Sequence, residues 1–148
     1  MIYLDYSATT PVNKEVVDAF SKVSLDYVGN PNSLHKLGVE AKKLMDAACM
    51  QVADLLGVKS NEVIFTSGAS EANNTAIMGV VEKYPNRGKH IITTRLEHSS
   101  VLECMNYLEN IGYIIDYVNI NEDGLVDLNH LKSLLSKDTV LVSICHVN

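Results

Sequence analysis

The chain has 148 residues, of which 47% are hydrophobic and 20% charged, and this is the size and composition of about one globular domain rather than of a disordered or many-domain protein. The net charge is −6, and no block of consecutive lysines or arginines is present, so we expect no nucleic-acid partner. No apolar run is long enough to cross a bilayer, so we do not expect this chain to be a membrane protein.

The N-terminal residues and the cysteines indicate a cytoplasmic protein. Residues 1–5 lack the basic and apolar regions of a signal peptide. The three cysteines, Cys49, Cys104 and Cys145, are an odd number without CxxC spacing, which fits a reducing compartment better than a disulfide framework. The spacing of histidines and cysteines predicts no metal site.

Short β-rich runs alternate with longer segments of helical period along the chain. The predicted helices cover 14–27, 34–56, 70–84, 100–110 and 127–135, and the predicted strands cover 63–66, 90–94, 113–119 and 139–144. Asn13 and Ser33 are the expected N-caps of the first two helices. Strands separated by helices imply an α/β fold, with a mainly parallel sheet and helices on both of its faces.

Composition and element order divide the chain into two parts. Residues 1–60 hold a short N-terminal segment and two helices, and residues 61–148 hold the first β-α units of a larger domain. The apolar run at 140–142 has the pattern of a central strand buried on both faces. We therefore expect a partner, or further elements of a longer fold, to cover that strand.

The first candidate site is the segment 65–71, where a predicted strand turns through Gly68 directly into a helix. Small residues let the backbone approach an anion, and the free N–H groups of the first helical turn point at it, with the Ser70 hydroxyl as a further donor. The alternative is that Ser67 or Ser70 only caps the helix. Neither GxGxxG nor a P-loop motif is present, which disfavours a dinucleotide or P-loop site.

Two further loops follow predicted strands at the same edge of the sheet. His98 lies in the first, where an imidazole could stack on a flat ring or move a proton, or could be merely a solvated residue or a cap. In the second, His146 and Asn148 could reach the same cleft. The alternative makes Cys145 a small core residue and His146 a satisfied one.

Linked motifs run in order along the whole chain. They are YLDYSATTP at 3–11, GNPNSLH at 29–35, TSGASEANN at 66–74, EH at 97–98 and VSICHVN at 142–148. Together they resemble the N-terminal part of a cysteine desulfurase, a class V, fold-type I pyridoxal-phosphate enzyme. The opening motif and the turn at 67–71 are similar to the branch that serves iron–sulfur cluster assembly.

The resemblance implies a site and a reaction. Residues 61–148 would begin the large domain of a fold-type I transferase, with pyridoxal 5'-phosphate as cofactor. Ala69 and Ser70 would hold its phosphate, and His98 would stack on its pyridine ring and act as the catalytic acid or base. The enzyme would convert L-cysteine to L-alanine and an enzyme-bound persulfide.

The resemblance also implies partners. The expected partners are a second copy in a homodimer and a sulfur-acceptor or iron–sulfur scaffold protein. No contact with a membrane is expected, and nucleic acid would be involved only indirectly, through tRNA thiolation.

Parts of the family pattern have no counterpart in this sequence. The Schiff-base lysine of the Ser-Gly-His-Lys motif is absent, and Cys49, Cys104 and Cys145 do not match the motif of the nucleophilic cysteine. We therefore expect the chain by itself to be inactive and prone to associate. The alternative function is a non-catalytic α/β module that binds a phosphorylated ligand, or a truncated interaction fragment.

Overall fold

The computed structural model describes residues 2–147 and divides into two compact units between Ile64 and Phe65. The elements are α1 (Lys14–Asp26), α2 (Lys36–Leu56), a short 3₁₀ helix (Ser60–Glu62), α3 (Ala69–Lys83), β1 (His90–Thr93), α4 (Ser99–Asn110), β2 (Ile114–Tyr117), α5 (Leu128–Leu134) and β3 (Thr139–Val142). Within residues 2–147, no helix combines the length and apolarity that a membrane span requires. The domain division predicted after residue 60 stays a prediction.

The first unit contains α1 and α2, whose N-caps differ in how well local sequence predicts them. Asn13 caps α1 as expected. The prediction that Ser33 caps α2 is wrong, because His35 is the N-cap and its Nδ1 accepts the backbone N–H of Gly38 at 3.4 Å. Ser33 instead belongs to the preceding turn, where its N–H donates to the carbonyl of Asn30 at 2.9 Å.

Residues 63–66 do not form the predicted strand. None of the three described strands pairs with them, and the side chains of Ile64 and Phe65 are 74% and 59% exposed. A strand forms only where a neighbouring strand pairs its backbone N–H and C=O groups. High β-propensity is therefore not enough to form a strand at 63–66 without a neighbouring strand.

The second unit is built on a parallel sheet with the strand order β2-β1-β3. Ile91 of β1 lies opposite Ile115 of β2 and Leu141 of β3. The three strands are shorter than predicted, but their order along the chain and their alternation with helices are as expected. The α/β fold and the parallel sheet are thus confirmed.

Helices α3 and α4 cover one face of this sheet. The buried core comprises Ile77, Val81, Ile91, Val101, Cys104, Met105, Leu108 and Ile115. Ile91, Met105 and Leu108 are completely buried, and each such side chain contributes about 1.5–3 kcal/mol by leaving water. The core fixes α3 and α4 side by side, which places their N-termini at one edge of the sheet.

A buried histidine joins the three strands. His90 is 6% exposed, and its Nδ1 lies 2.8 Å from Oγ1 of Thr139 in β3. Its Nε2 lies 3.1 Å from Oδ2 of Asp116 in β2. Both ring nitrogens therefore have partners, as buried polar groups require.

Candidate functional site

The N-terminus of α3 has an open first turn. Gly68 is the N-cap, and no side chain accepts a hydrogen bond there, so the alternative that Ser67 or Ser70 caps this helix is wrong. Within residues 2–147, the first-turn N–H groups of Ala69, Ser70 and Glu71 have no acceptor. These donors and the positive end of the helix dipole can bind an anion together.

The backbone before α3 is held by two local hydrogen bonds. Thr66 Oγ1 donates to the carbonyl of Gly68 at 3.1 Å, and the Ser67 N–H donates to Oε2 of Glu71 at 2.6 Å. The backbone hydrogen bond from Ser67 lowers the pKa of the exposed Glu71 carboxyl. The Glu71 carboxylate therefore accepts the N–H of Ser67, which precedes the helix, and does not occupy the N–H groups of the first turn.

Space for a ligand exists at Gly68. A Cβ built on this residue would meet no atom within 4 Å. A side chain there would project into open space rather than into the protein. The local arrangement thus fits a phosphate group, with small residues at 67–70 and three N–H donors at the turn that have no acceptor in the described part of the chain.

His98 begins α4. Its backbone is extended, and its Nδ1 accepts the backbone N–H of Ser100 at 3.1 Å. The Ser100 hydroxyl lies 2.9 Å from the same nitrogen. The histidine is therefore a helix cap, as one of the two interpretations predicted, but its ring is exposed and can still meet a ligand.

Two asparagines join the start of α3 to the start of α4. Asn74 Nδ2 donates to the carbonyl of Ser70 at 2.8 Å and to the carbonyl of Ser100 at 3.4 Å. Asn73 Nδ2 donates to the Ser100 hydroxyl at 2.9 Å. The structure thereby connects Ser70 with His98 through Asn74 and Ser100, although their loops are far apart in sequence.

Sequence reasoning missed the role of these two asparagines. The available signal was the pair of amide side chains in the second turn of the helix that begins after Gly68. Amides at that position can donate and accept across a helix pair, whereas they add little to helix propensity.

The loop after β3 is attached to the His98 loop by Glu97. Glu97 is 8% exposed, and its Oε1 accepts hydrogen bonds from Thr94 Oγ1 at 3.0 Å and from the Cys145 N–H at 2.7 Å. Cys145 is exposed, so its interpretation as a core residue is wrong. His146 is also exposed, and Asn148 lies outside the described residues.

Comparison with known proteins gives consistent matches along the chain. The model of the aminotransferase class-V family matches residues 2–148. The cysteine desulfurase IscS of Dictyoglomus turgidum is 46% identical over 99% of this chain, which spans 37% of that protein. The IscS of Buchnera aphidicola (subsp. Acyrthosiphon pisum, strain 5A) is 48% identical with the same coverage of each chain.

Solved structures are similar over nearly the whole chain. A NifS-like protein superposes with a TM-score of 0.93 and 41% identity, covering 97% of this chain and 39% of that one. A structure described as SspA in complex with cysteine has a TM-score of 0.91 and 36% identity, covering 99% of this chain and 42% of that one. The fold is thus that of the fold-type I pyridoxal-phosphate enzymes.

Proposed function

Because the chain belongs to the aminotransferase class-V family, we propose that it forms the part of a cysteine desulfurase that binds the phosphate and one ring face of pyridoxal 5'-phosphate. The chain spans 37% of the length of the two curated relatives, so the activity, substrate and partners are proposed for a protein of their length. The observation that carries the proposal is the uncapped N-terminus of α3, with His98 connected to it by hydrogen bonds.

The phosphate is assigned to the N–H groups of Ala69 and Ser70 and to the Ser70 hydroxyl. Both N–H groups lack an acceptor within the described chain, and a phosphate dianion gains from charge-assisted hydrogen bonds at the positive end of a helix. The open space in front of Gly68 supports this assignment, because a phosphate can approach the backbone there without displacing a side chain.

His98 is assigned to the cofactor ring and to proton transfer. Its ring is exposed, which leaves a face free for a planar group. Its Nδ1 already meets two hydrogen-bonding groups of Ser100. Nε2 is therefore the nitrogen left to hold or deliver a proton during the reaction.

The proposed reaction converts L-cysteine to L-alanine and leaves the sulfur on the enzyme as a persulfide for iron–sulfur cluster assembly. The cofactor, when bound, supplies the electron sink for this chemistry. One structural relative is described as a complex with cysteine, which supports cysteine as the substrate. We further propose a cytoplasmic homodimer that passes sulfur to an acceptor or scaffold protein.

A chimera tests the proposal. Residues 2–147 of this chain would replace the aligned part of the Dictyoglomus turgidum relative, which is 46% identical to it. We expect a folded chimera to bind pyridoxal 5'-phosphate and to release alanine from L-cysteine. A folded chimera that binds neither the cofactor nor inorganic phosphate would contradict the proposal, and one that binds both without producing alanine would favour the non-catalytic binding module.

Variants of His98 separate its cap from its chemistry. In the chimera, His98→Ala should slow alanine production by roughly a hundredfold or more, the usual effect of losing a general acid or base. His98→Asn retains a good N-cap acceptor but has no imidazole, so it should be as slow as His98→Ala. Recovery of normal turnover in His98→Asn would reduce His98 to a helix cap.

A further inference from the structure

A chain of hydrogen bonds reaches His98 from the neighbouring helix. Asn73 Nδ2 in α3 donates to Oγ of Ser100 at 2.9 Å, and this Oγ lies 2.9 Å from Nδ1 of His98. Asn73 and Ser100 are half-buried, whereas His98 is exposed. The two half-buried groups can therefore hold the exposed ring with less competition from water.

The donors in this chain can be assigned from its fixed members. The backbone N–H of Ser100 lies 3.1 Å from His98 Nδ1, and a backbone N–H can only donate, so Nδ1 must accept. The amide of Asn73 donates to the Ser100 oxygen, which leaves the hydroxyl hydrogen free to point at Nδ1. In the neutral ring, the hydrogen then resides on Nε2.

We propose that Asn73 is a positioning residue that acts on His98 through the Ser100 hydroxyl and, together with the Ser100 N–H, fixes the orientation of the imidazole and its Nε2–H tautomer. The ring of a capping histidine can otherwise rotate, and its neutral form can carry the hydrogen on either nitrogen. With Asn73 in place, the Nε2–H group is the one presented to the ligand. This consequence for the ligand rests on the proposed function, whereas the tautomer itself does not.

Asn73→Asp provides the sharpest perturbation, since it keeps the shape of the side chain and replaces the donor by an acceptor. The Ser100 hydroxyl would then donate to the carboxylate and turn its lone pairs toward Nδ1. This arrangement opposes the effect of the Ser100 N–H and so lowers the preference for the Nε2–H form. Asn73→Ala only removes the donor and should have a smaller effect in the same direction.

The experiment measures the tautomer of His98 by ¹⁵N NMR on the full chain with labelled histidine, at a pH where the imidazole is neutral. The His98 signals are identified by their absence in His98→Gln. We expect the Nε2–H form to predominate, and the ratio of Nε2–H to Nδ1–H to fall about two- to tenfold in Ser100→Ala and Asn73→Ala, the factor that one ordinary hydrogen bond provides. Asn73→Asp should lower the ratio further.

The neighbouring asparagine provides the matched control. Asn74 donates to the carbonyl of Ser100 and not to its hydroxyl, so Asn74→Ala should leave the His98 tautomer unchanged. If Asn73 acts through Ser100, Asn73→Ala should cause no additional change in a chain that already carries Ser100→Ala.

Three results would overturn the inference. These are a predominant Nδ1–H form in the unaltered chain, an unchanged ratio in Asn73→Asp, or additive effects of the Asn73 and Ser100 substitutions. The chain could show the expected tautomer shifts while the chimera fails to bind pyridoxal phosphate. That pair of results would support the role of Asn73 and contradict only the proposed function.

Discussion

Substitution of Gly68 by valine provides a direct test of the proposed anion site, because the fold has room for the new side chain. A Cβ at this position meets no atom within 4 Å, and the backbone is extended, with φ at 163° and ψ at 179°. The main expected cost to the fold is a poorer N-cap, since valine is less favourable than glycine there by about 0.5–1 kcal/mol. The variant should therefore fold.

The expected effect on binding is larger than the effect on folding. A branched side chain at the N-cap occupies space beside the N–H groups of Ala69 and Ser70, where the phosphate would lie. Loss of one charge-assisted hydrogen bond costs about 1.5–3 kcal/mol. Since about 1.4 kcal/mol corresponds to a tenfold change in Kd, the affinity for the cofactor should fall about 10- to 150-fold.

The assay is calorimetric titration of the chimera with pyridoxal 5'-phosphate, with urea unfolding measured in parallel. Gly79→Val is the matched control, because Gly79 lies farther along the same helix and its added Cβ also meets no atom within 4 Å. This control should bind the cofactor with unchanged affinity. An unaltered Kd in a folded Gly68→Val variant would refute the reasoning and remove the phosphate from this turn.

Three other predictions concern titratable and nucleophilic groups. Iodoacetamide should alkylate the exposed Cys145 well before the buried Cys104, because burial raises the pKa of the Cys104 thiol, and equal rates in peptide mass spectrometry would contradict this. His90→Ala should lower the free energy of unfolding in urea by about 1–3 kcal/mol, since the buried ring bonds to both flanking strands, and an unchanged midpoint would refute that role. The hydrogen bond from the Ser67 N–H lowers the pKa of Glu71, so the ionised Glu71 should stabilise the folded chain. This stabilisation should be present above the carboxyl pKa of the unfolded chain and be lost as pH falls through the lower folded pKa. A ¹³C titration of Glu71 that shows an ordinary pKa would contradict this.

The open start of α3 was predictable from the sequence because it depends on one short segment. A glycine between a β-rich run and a helical run, with small residues around it, determines where the first-turn N–H groups face and how closely a ligand can approach. The order of helices and parallel strands was predictable for a similar reason, since hydrophobic periodicity acts over a single element.

The segment 63–66 shows the limit of this local information. Its residues have the β-propensity of a strand, yet strand formation needs a neighbour that supplies hydrogen bonds. The cap of α2 shows the same limit at a smaller scale. Ser33 is a good cap by residue type, but it lies in the turn with Asn30, and the helix begins later, after His35.

The α/β order, the family motifs and the open helix start at Gly68 follow from local sequence, because each is encoded within one element or one turn. The groups that meet around His98 come together only through the packing of distant elements. Asn73 and Ser100 are 27 residues apart, and the Glu97 carboxylate reaches a backbone N–H 48 residues away. Such contacts depend on how the core packs α3, α4 and the strands side by side, and no local pattern of residues encodes that arrangement.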